Sequence, residues 1–354
     1  MKILFKNKSI SWFEFLPSWV MYLPVAVYCL YLSIRYKHWA LPLIANPGIA
    51  LSGMVGEEKS AVFKQLGTKG KAKVEPYIVC IKQIDLKLDH YLAQLEGANL
   101  SFPVVAKPDI GCRGAGVKLI DSPEQLHAYI NNYPNHQQFL LQKKADWPHE
   151  AGIFYVRFPN QESGFILSIT LKILPTIIGD GINSIQQLIE QDPRAQHLTH
   201  LYFPALSQRL PEILPKGEIL ELVFTGNHCR GAIFKDGNQF ITDQLNSAMN
   251  EILLDMDGFY YGRLDIKFKD LDSLQKGENF SILEINGASS EAAHIWDSNG
   301  TFFSAIKVLC QQYKILYQIG DLHRRNGYPL PSLKHLLIAW KKERALVQDY
   351  QQLY

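Results

Sequence analysis

Between Gly258 and Asp297 the sequence alternates apolar and polar residues so regularly that little choice of local structure remains. In Gly-Arg-Leu-Asp-Ile-Lys-Phe, Arg263, Asp265 and Lys267 fall on one side of an extended chain, and Leu264, Ile266 and Phe268 fall on the other. A second run, Phe-Ser-Ile-Leu-Glu-Ile-Asn, puts Leu283 and Ile285 on one face and Glu284 and Asn286 on the opposite one. The spacing predicts two half-buried strands joined by an acidic loop. If they pair, Asp265, Glu284 and Asn286 project together with Arg263 at their edge. Two carboxylates and an amide, without sulfur or imidazole, suit magnesium, which binds through one or two carboxylates and completes its shell with water and phosphate oxygens. The same pattern also describes an ordinary solvated sheet face, and alone it leaves both readings open.

The rest of the chain narrows the choice. Its 354 residues give room for two or three packed subdomains, and 47% hydrophobic with 20% charged residues marks a globular chain. A net charge of +2, with no long basic block, gives no reason to expect nucleic acid as a partner. Five widely spaced cysteines, Cys29, Cys80, Cys112, Cys229 and Cys310, argue against a disulfide framework and a structural zinc site, and fit a reducing compartment.

From Phe15 to Ile34 the chain carries no charge. That is long enough to cross a bilayer, although Pro17 and Pro24 interrupt a helix there. Trp12, Trp19, Tyr22, Tyr28, Tyr31, Tyr36 and Trp39 supply the ring content of a membrane interface. A spanning or re-entrant anchor, a helix lying on the bilayer and a buried core helix all remain open. Lys2, Lys6 and Lys8 before the run, and Arg35 and Lys37 after it, leave orientation unassigned. Residues 41–100 mix short apolar runs with turns such as Asn46-Pro47-Gly48; Asn46, Gly53 and Gly56 are read as turn residues, and no catalytic motif is assigned there.

Phe102 to Pro108 reads as a strand carrying Lys107, followed by the glycine-rich loop Gly111-Cys112-Arg113-Gly114-Ala115-Gly116. Such a loop lets backbone amides approach anionic oxygens, and the lysine adds a point charge; a plain turn is the simpler alternative. Ser122 with Pro123 predicts the start of a helix running to Tyr133. Phe139 to Lys144 is a strand leading through Asp146-Trp147-Pro148 into a second strand that begins at Glu150. A strand, a short hinge and a strand suit a nucleotide base held between two subdomains, with the carboxylate near the ribose. Further on, Lys172 ends a strand, and Ser184 caps a helix over Ile185 to Gln191. Residues 194–218 read as proline-marked loop, Thr242 to Met256 as an amphipathic helix, Phe302 to Tyr317 as a helix, and 333–354 as a helical tail, solvated by default, with a membrane-surface contact as the alternative.

Taken together, these motifs resemble the ATP-grasp superfamily, in particular its carboxylate-amine ligases such as D-alanine-D-alanine ligase, over about residues 100 to 300. Ile178 to Leu188 also resembles a segment of cyanophycin synthetase. The resemblance implies an α+β fold in which two α+β subdomains clamp ATP, preceded here by the apolar membrane-associating segment. The expected organisation is an apolar segment over 1–45, a reduced N-terminal α/β region over 46–100, the ATP-grasp domain over 101–320 and a helical tail over 321–354. It further implies that Lys107, Gly111, Arg113, Gly114, Gly116, Gln142, Lys143, Lys144, Ala145 and Glu150 hold the nucleotide. Asp265, Glu284 and Asn286 are then the ligands of magnesium, as two ions or with manganese as a substitute. Arg263, Lys172 and Arg230 are the catalytic residues, with His294 as a further substrate-orienting candidate.

The expected reaction joins a small-molecule carboxylate to an amine through an acyl-phosphate, releasing ADP and phosphate. The alternative is a membrane-attached ATP-binding sensor without ligase activity. The ATP requirement that the resemblance implies places the catalytic region at the cytoplasmic face, the apolar segment would hold it against a membrane through residues 12–39, and an envelope- or lipid-linked substrate is then expected; an oligomer is left open.

Overall fold

The computed structural model describes residues 13–14, 16–112, 114–227 and 231–350. The helices are α1 (Ser18–Arg35), α2 (Lys59–Gln65), α3 (Thr68–Lys71), α4 (Leu88–Gly97), α5 (Pro123–Asn132), α6 (Ile185–Gln191), α7 (Thr199–Ala205), α8 (Asp243–Leu253), α9 (Leu271–Lys276), α10 (Phe302–Arg325) and α11 (Leu333–Asp349). The strands are β1 (Tyr77–Ile81), β2 (Val104–Pro108), β3 (Lys118–Ile120), β4 (Gln138–Lys143), β5 (His149–Val156), β6 (Phe165–Ile173), β7 (Thr176–Ile178), β8 (Ile219–Glu221), β9 (Ile233–Asp236), β10 (Tyr261–Phe268) and β11 (Phe280–Asn286). They form a four-stranded sheet in the order β1-β4-β2-β3, a five-stranded sheet in the order β11-β10-β5-β6-β9, and the pair β7-β8. All these pairings are antiparallel, so the α+β class expected from the sequence is the class observed.

The five-stranded sheet is two-faced, as its sequence demands. Leu264, Ile266 and Phe268 of β10, and Ile282 and Ile285 of β11, pack with Leu245, Met249, Ile252 and Leu253 of α8. Thr242 starts α8 by accepting a hydrogen bond from the Leu245 N–H through Oγ1 at 3.1 Å. Such a cap contributes about 1 kcal/mol. The opposite face is covered at one end by α10, whose Ile315, Leu316 and Ile319 meet Phe154, Val156 and Tyr261. The polar residues of β5, β6, β10 and β11 occupy the remainder of that face.

The four-stranded sheet packs Val104, Ala106, Phe139 and Leu141 against Tyr91 and Leu95 of α4 and Leu126, Tyr129 and Ile130 of α5. Its edge strand β1 comes from the segment before residue 100. The tail is not simply solvated: Leu346 of α11 and the following Tyr350 are buried in this same core. Strand β4 belongs to one sheet and β5 to the other, so residues 144–148 form the link between them. In that link the Trp147 indole donates to Ser281 Oγ of β11 at 3.1 Å. The stretch expected as loop over 194–218 contains α7; Pro204 lies in its last turn, where the chain leaves the helix.

Candidate active site

Register does most of the assembly. Strand β10 pairs Asp265 with Glu284 on one side and with Gly152 on the other, and β5 pairs Glu150 with Lys172 of β6. Side chains at these positions share one face. There Arg263 holds Asp265 through Nε to Oδ1 at 2.8 Å and Nη2 to Oδ2 at 3.0 Å. Lys172 Nζ lies 3.1 Å from Asp265 Oδ1 and 2.9 Å from Glu150 Oε1. The result is an alternating chain of charges, Glu150, Lys172, Asp265 and Arg263, drawn from three strands.

The face is not solvated: Asp265 is only 6% exposed. Burial alone would raise the Asp265 carboxyl, but Arg263 and then Lys172 outweigh it and hold the pKa below the usual carboxylate range. Burial likewise works against the Lys172 charge, and Asp265 and Glu150 more than offset it, so the ammonium is stabilised.

Two glycines make the close packing feasible. A Cβ on Gly152 would stand 2.9 Å from Arg263 Cδ and 3.2 Å from Asp265 Oδ1, and one on Gly226 would stand 2.5 Å from Glu150 Oε1. Neither requirement is visible along the sequence, because both depend on a partner strand or turn.

Lys107 comes from the other sheet. Its Nζ donates to Gln142 Oε1 at 2.6 Å and crosses to the Leu283 carbonyl of β11 at 2.9 Å. Both acceptors are neutral, and the side chain is buried at 6% exposure. Burial depresses the ammonium to about 8, with Glu284 opposing the shift. Gln142 also donates to the Glu75 carbonyl at 3.0 Å, so both ends of its amide are engaged. Of the other expected nucleotide contacts, Ala145 is buried, Lys144 is half-buried, and Lys143 is exposed with Glu75 at 3.7 Å and Asp146 at 3.9 Å. Gly114 and Gly116 sit at φ 72° and 71°, values that favour glycine, and the Gly116 carbonyl accepts from Tyr129 Oη at 3.0 Å. Arg113 and Arg230 lie outside the described residues, as do Lys2, Lys6, Lys8, Trp12, Phe15 and Cys229.

Three residues from the segment before residue 100 reach this site; from the sequence Asn46 is a turn residue, and Glu57 and Lys59 have no assigned role. Asn46 is fully buried and acts as an extension of β10: its Oδ1 accepts from the Tyr260 and Tyr261 N–H groups at 2.8 and 2.9 Å, and its Nδ2 donates to the Tyr261 carbonyl at 2.7 Å. It also donates to the Ser52 carbonyl at 3.2 Å, so its part is larger than shaping a turn. Lys59 pairs with Glu284 at 3.3 Å and donates to the Gly111 carbonyl at 3.2 Å, joining the glycine loop to β11. Glu57 accepts from the Gly287 N–H at 3.0 Å, while its Oε1 is buried without a hydrogen-bond partner. Burial, reinforced by Glu284, pushes this carboxyl up to about 8. The only sequence signal was the polar run Glu57-Glu58-Lys59-Ser60, which looks like any helix start.

The donor set facing Asp265 fits magnesium in kind. Asp265 and Glu284 are direct cross-strand partners, and Asn286 Nδ2 reaches Asp265 Oδ2 at 3.4 Å, leaving the amide oxygen available. Among the described residues no group of three or more His, Cys, Asp or Glu side chains is gathered for a metal. An ion here would rest on two carboxylates, an amide and oxygens from outside the protein, which is how magnesium meets phosphates. His294 sits apart, half-buried, its pKa lowered by burial against the pull of Asp236 and Asp297. Nearby, Lys235 of β9 is buried with Asp297 Oδ1 at 3.2 Å and Ser298 Oγ at 2.6 Å, which fixes the segment after β11.

No protein-family model matches the chain, and no curated protein matches it significantly. Solved structures do. A bifunctional glutathione synthetase from Pasteurella multocida is 16% identical over 72% of this chain and 36% of its own length, with a TM-score of 0.36. The D-alanine-D-alanine ligase of Bacillus anthracis is 14% identical over 79% of this chain and 72% of its own, with a TM-score of 0.43. The VanG D-Ala:D-Ser ligase of Enterococcus faecalis is 11% identical over 74% and 62%, with a TM-score of 0.40. At these identities the likeness to the one synthetase and the two ligases is one of fold.

Proposed function

We propose that this chain is an ATP-dependent ligase that joins a carboxylate to an amine through an acyl-phosphate, with release of ADP and phosphate. The observation that carries this reading is Lys107, a buried ammonium whose hydrogen bonds go to neutral oxygens only. A buried cation without a bonded anion is costly, and a phosphate supplied by a ligand would relieve that cost. Lys59 and the glycine loop stand on one side of it, and the Arg263, Asp265 and Lys172 network lies on the sheet it reaches.

In the reaction, a carboxylate oxygen of the acid attacks the terminal phosphorus of ATP, and the bond from that phosphorus to the ADP oxygen breaks. The amine nitrogen then attacks the acyl carbon, gives up a proton, and phosphate departs. Arg263 stabilises negative charge on the transferred group and on the tetrahedral intermediate, and one such donor is typically worth about 3 to 4 kcal/mol. Lys107 binds phosphate oxygens, and Lys172 holds Asp265 and Glu150 in place. Asp265, Glu284 and Asn286 would hold magnesium, which when bound neutralises phosphate charge. A cleft that consumes ATP works at the cytoplasmic face if the chain is membrane-bound.

Incubating the chain with magnesium, ATP and a pool of amino acids and small carboxylates, with mass spectrometry of the products, tests the reading. ADP that requires both an acid and an amine is expected. Lys107→Met should weaken ATP binding by about tenfold or more. ATP binding with no amine-dependent ADP would instead support the sensor, and absence of ATP binding would remove both readings.

A further inference from the structure

Helix α1 is apolar all round, and the protein covers only half of it. On its inner side Met21, Val25 and Leu32 are buried against Ala305 and Leu309 of α10 and against Leu41, Ile44 and Tyr317. Ser33 Oγ and Tyr317 Oη lie 2.6 Å apart, and Tyr22 Oη donates to Glu291 Oε1 at 2.6 Å. The helix is therefore laid along the body of the protein and held there at several points. On its outer side Trp19, Leu23, Val27, Leu30 and Ile34 recur at steps of four, four, three and four, and their exposures run from 57% for Leu23 to 71% for Ile34. A continuous apolar stripe of this length, facing away from the protein, needs something to cover it.

The flanking charge identifies the cover. No Asp or Glu occurs from residue 16 to residue 56, and Glu14 is turned inward to Arg194, at 2.9 Å between Oε2 and Nη1. Among the described residues that flank the stripe in sequence, the exposed charges are Arg35 and Lys37, with the half-exposed Tyr36 and the exposed Trp39 at the same end. An apolar stripe with aromatic residues at its ends and a cationic margin matches a bilayer surface that carries anionic headgroups.

We propose that α1 lies in the plane of an anionic phospholipid bilayer, its outer stripe sunk to the level of the acyl boundary and its inner face still packed on α10. The attachment is peripheral. A helix threaded across the bilayer would have to leave α10 and uncover Ala305, Leu309 and Tyr317. The inference does not depend on the reading of the cleft, since the stripe it rests on, Trp19 to Ile34, is exposed on the outer side of α1.

The test uses the full chain and two vesicle preparations, one of phosphatidylcholine alone and one containing phosphatidylglycerol at about a third. Co-sedimentation is expected with the anionic vesicles and should be weaker with the neutral ones. Each of Val27→Glu and Ile34→Glu should lower partitioning by about tenfold or more, with circular dichroism unchanged, because each puts a charge where an exposed aliphatic group would enter the bilayer. Lipids brominated near the headgroup should quench the Trp19 signal, identified by its loss in Trp19→Phe, more than lipids brominated near the chain ends. Alkaline carbonate should release the bound chain. Three results would overturn the proposal: no binding to either preparation, resistance to carbonate with deep quenching, or a wild-type dimer in solution that Val27→Glu dissociates while vesicle binding is absent.

Discussion

Arg263 and Asp265, two residues apart on one strand, form a two-point ion pair in which both carboxylate oxygens are engaged, at 2.8 and 3.0 Å. Lys172 adds a third contact to the same carboxylate. Replacing Asp265 by Asn keeps the shape and removes the charge shared by the buried Lys172 and the partly buried Arg263. Magnesium-dependent ADP formation should fall by about a thousandfold or more, and stability to urea by about 3 kcal/mol. Arg263→Lys should retain most of the stability and still lose turnover, because an ammonium cannot bind at two points. Retained turnover in both variants would remove these residues from the chemistry.

Gly152→Ala tests whether the geometry of that pair matters as much as its charge. The added methyl meets Arg263 Cδ and Asp265 Oδ1 at short range, so the arginine must tilt away. A fall in kcat of about ten- to a hundredfold is expected, with little change in KM for ATP and an unaltered circular dichroism spectrum. An equal loss in Gly226→Ala would show instead that any disturbance of this face is enough.

Asn46 carries four side-chain hydrogen bonds in a fully buried position. Asn46→Ala leaves the Tyr260 and Tyr261 N–H groups and two carbonyls of the interior without these partners, which should cost about 3 kcal/mol or more in urea unfolding. Asn46→Asp is the sharper variant. It preserves the acceptor for Tyr260 and Tyr261 but sets an acceptor against the Tyr261 and Ser52 carbonyls, and it should destabilise at neutral pH more than at pH 4.

His323 supplies a pH dependence remote from the cleft. It is buried on α10 between Tyr260 and Tyr328, with ring centroids 4.7 and 4.9 Å away, and burial, partly opposed by the Ala45 carbonyl, lowers its pKa to about 4. The unfolded chain binds this proton near pH 6.5 and the folded chain only near 4. Stability from this group is thus complete above pH 6.5 and is lost as pH falls toward 4, at about 1.4 kcal/mol per unit. The difference between wild type and His323→Gln in urea midpoints from pH 7 to 4 should show that slope. A constant difference would mean that the imidazole titrates normally.

Much of this arrangement was legible from local pattern. Alternation at Arg263 to Phe268 assigned the two faces of β10, Ser184 marked the start of α6, and the apolar steps of α8 identified its buried side. Local pattern cannot report what a distant segment contributes. Asn46, Glu57 and Lys59 come from a stretch without periodicity and gain their roles only when the chain folds under β10 and β11. Gly152 looks like a flexible residue and is in fact a space requirement. The α11 tail looked solvated because its charged residues dominate, yet Leu346 and Tyr350 at its far end complete the core of the four-stranded sheet.

The pairing of Glu14 with Arg194 bears on how this molecule can be handled in the laboratory. Its apolar beginning resembles a detachable tether, the sort of segment commonly trimmed to obtain a soluble fragment. Trimming would take Glu14 from a guanidinium that is itself buried, and would open the flank of α10 where Met21 and Val25 now sit. The fragment would gain an oily wound in place of an oily stripe. Recolouring the outward residues of α1 leaves that wall standing, and is the better route to a crystal.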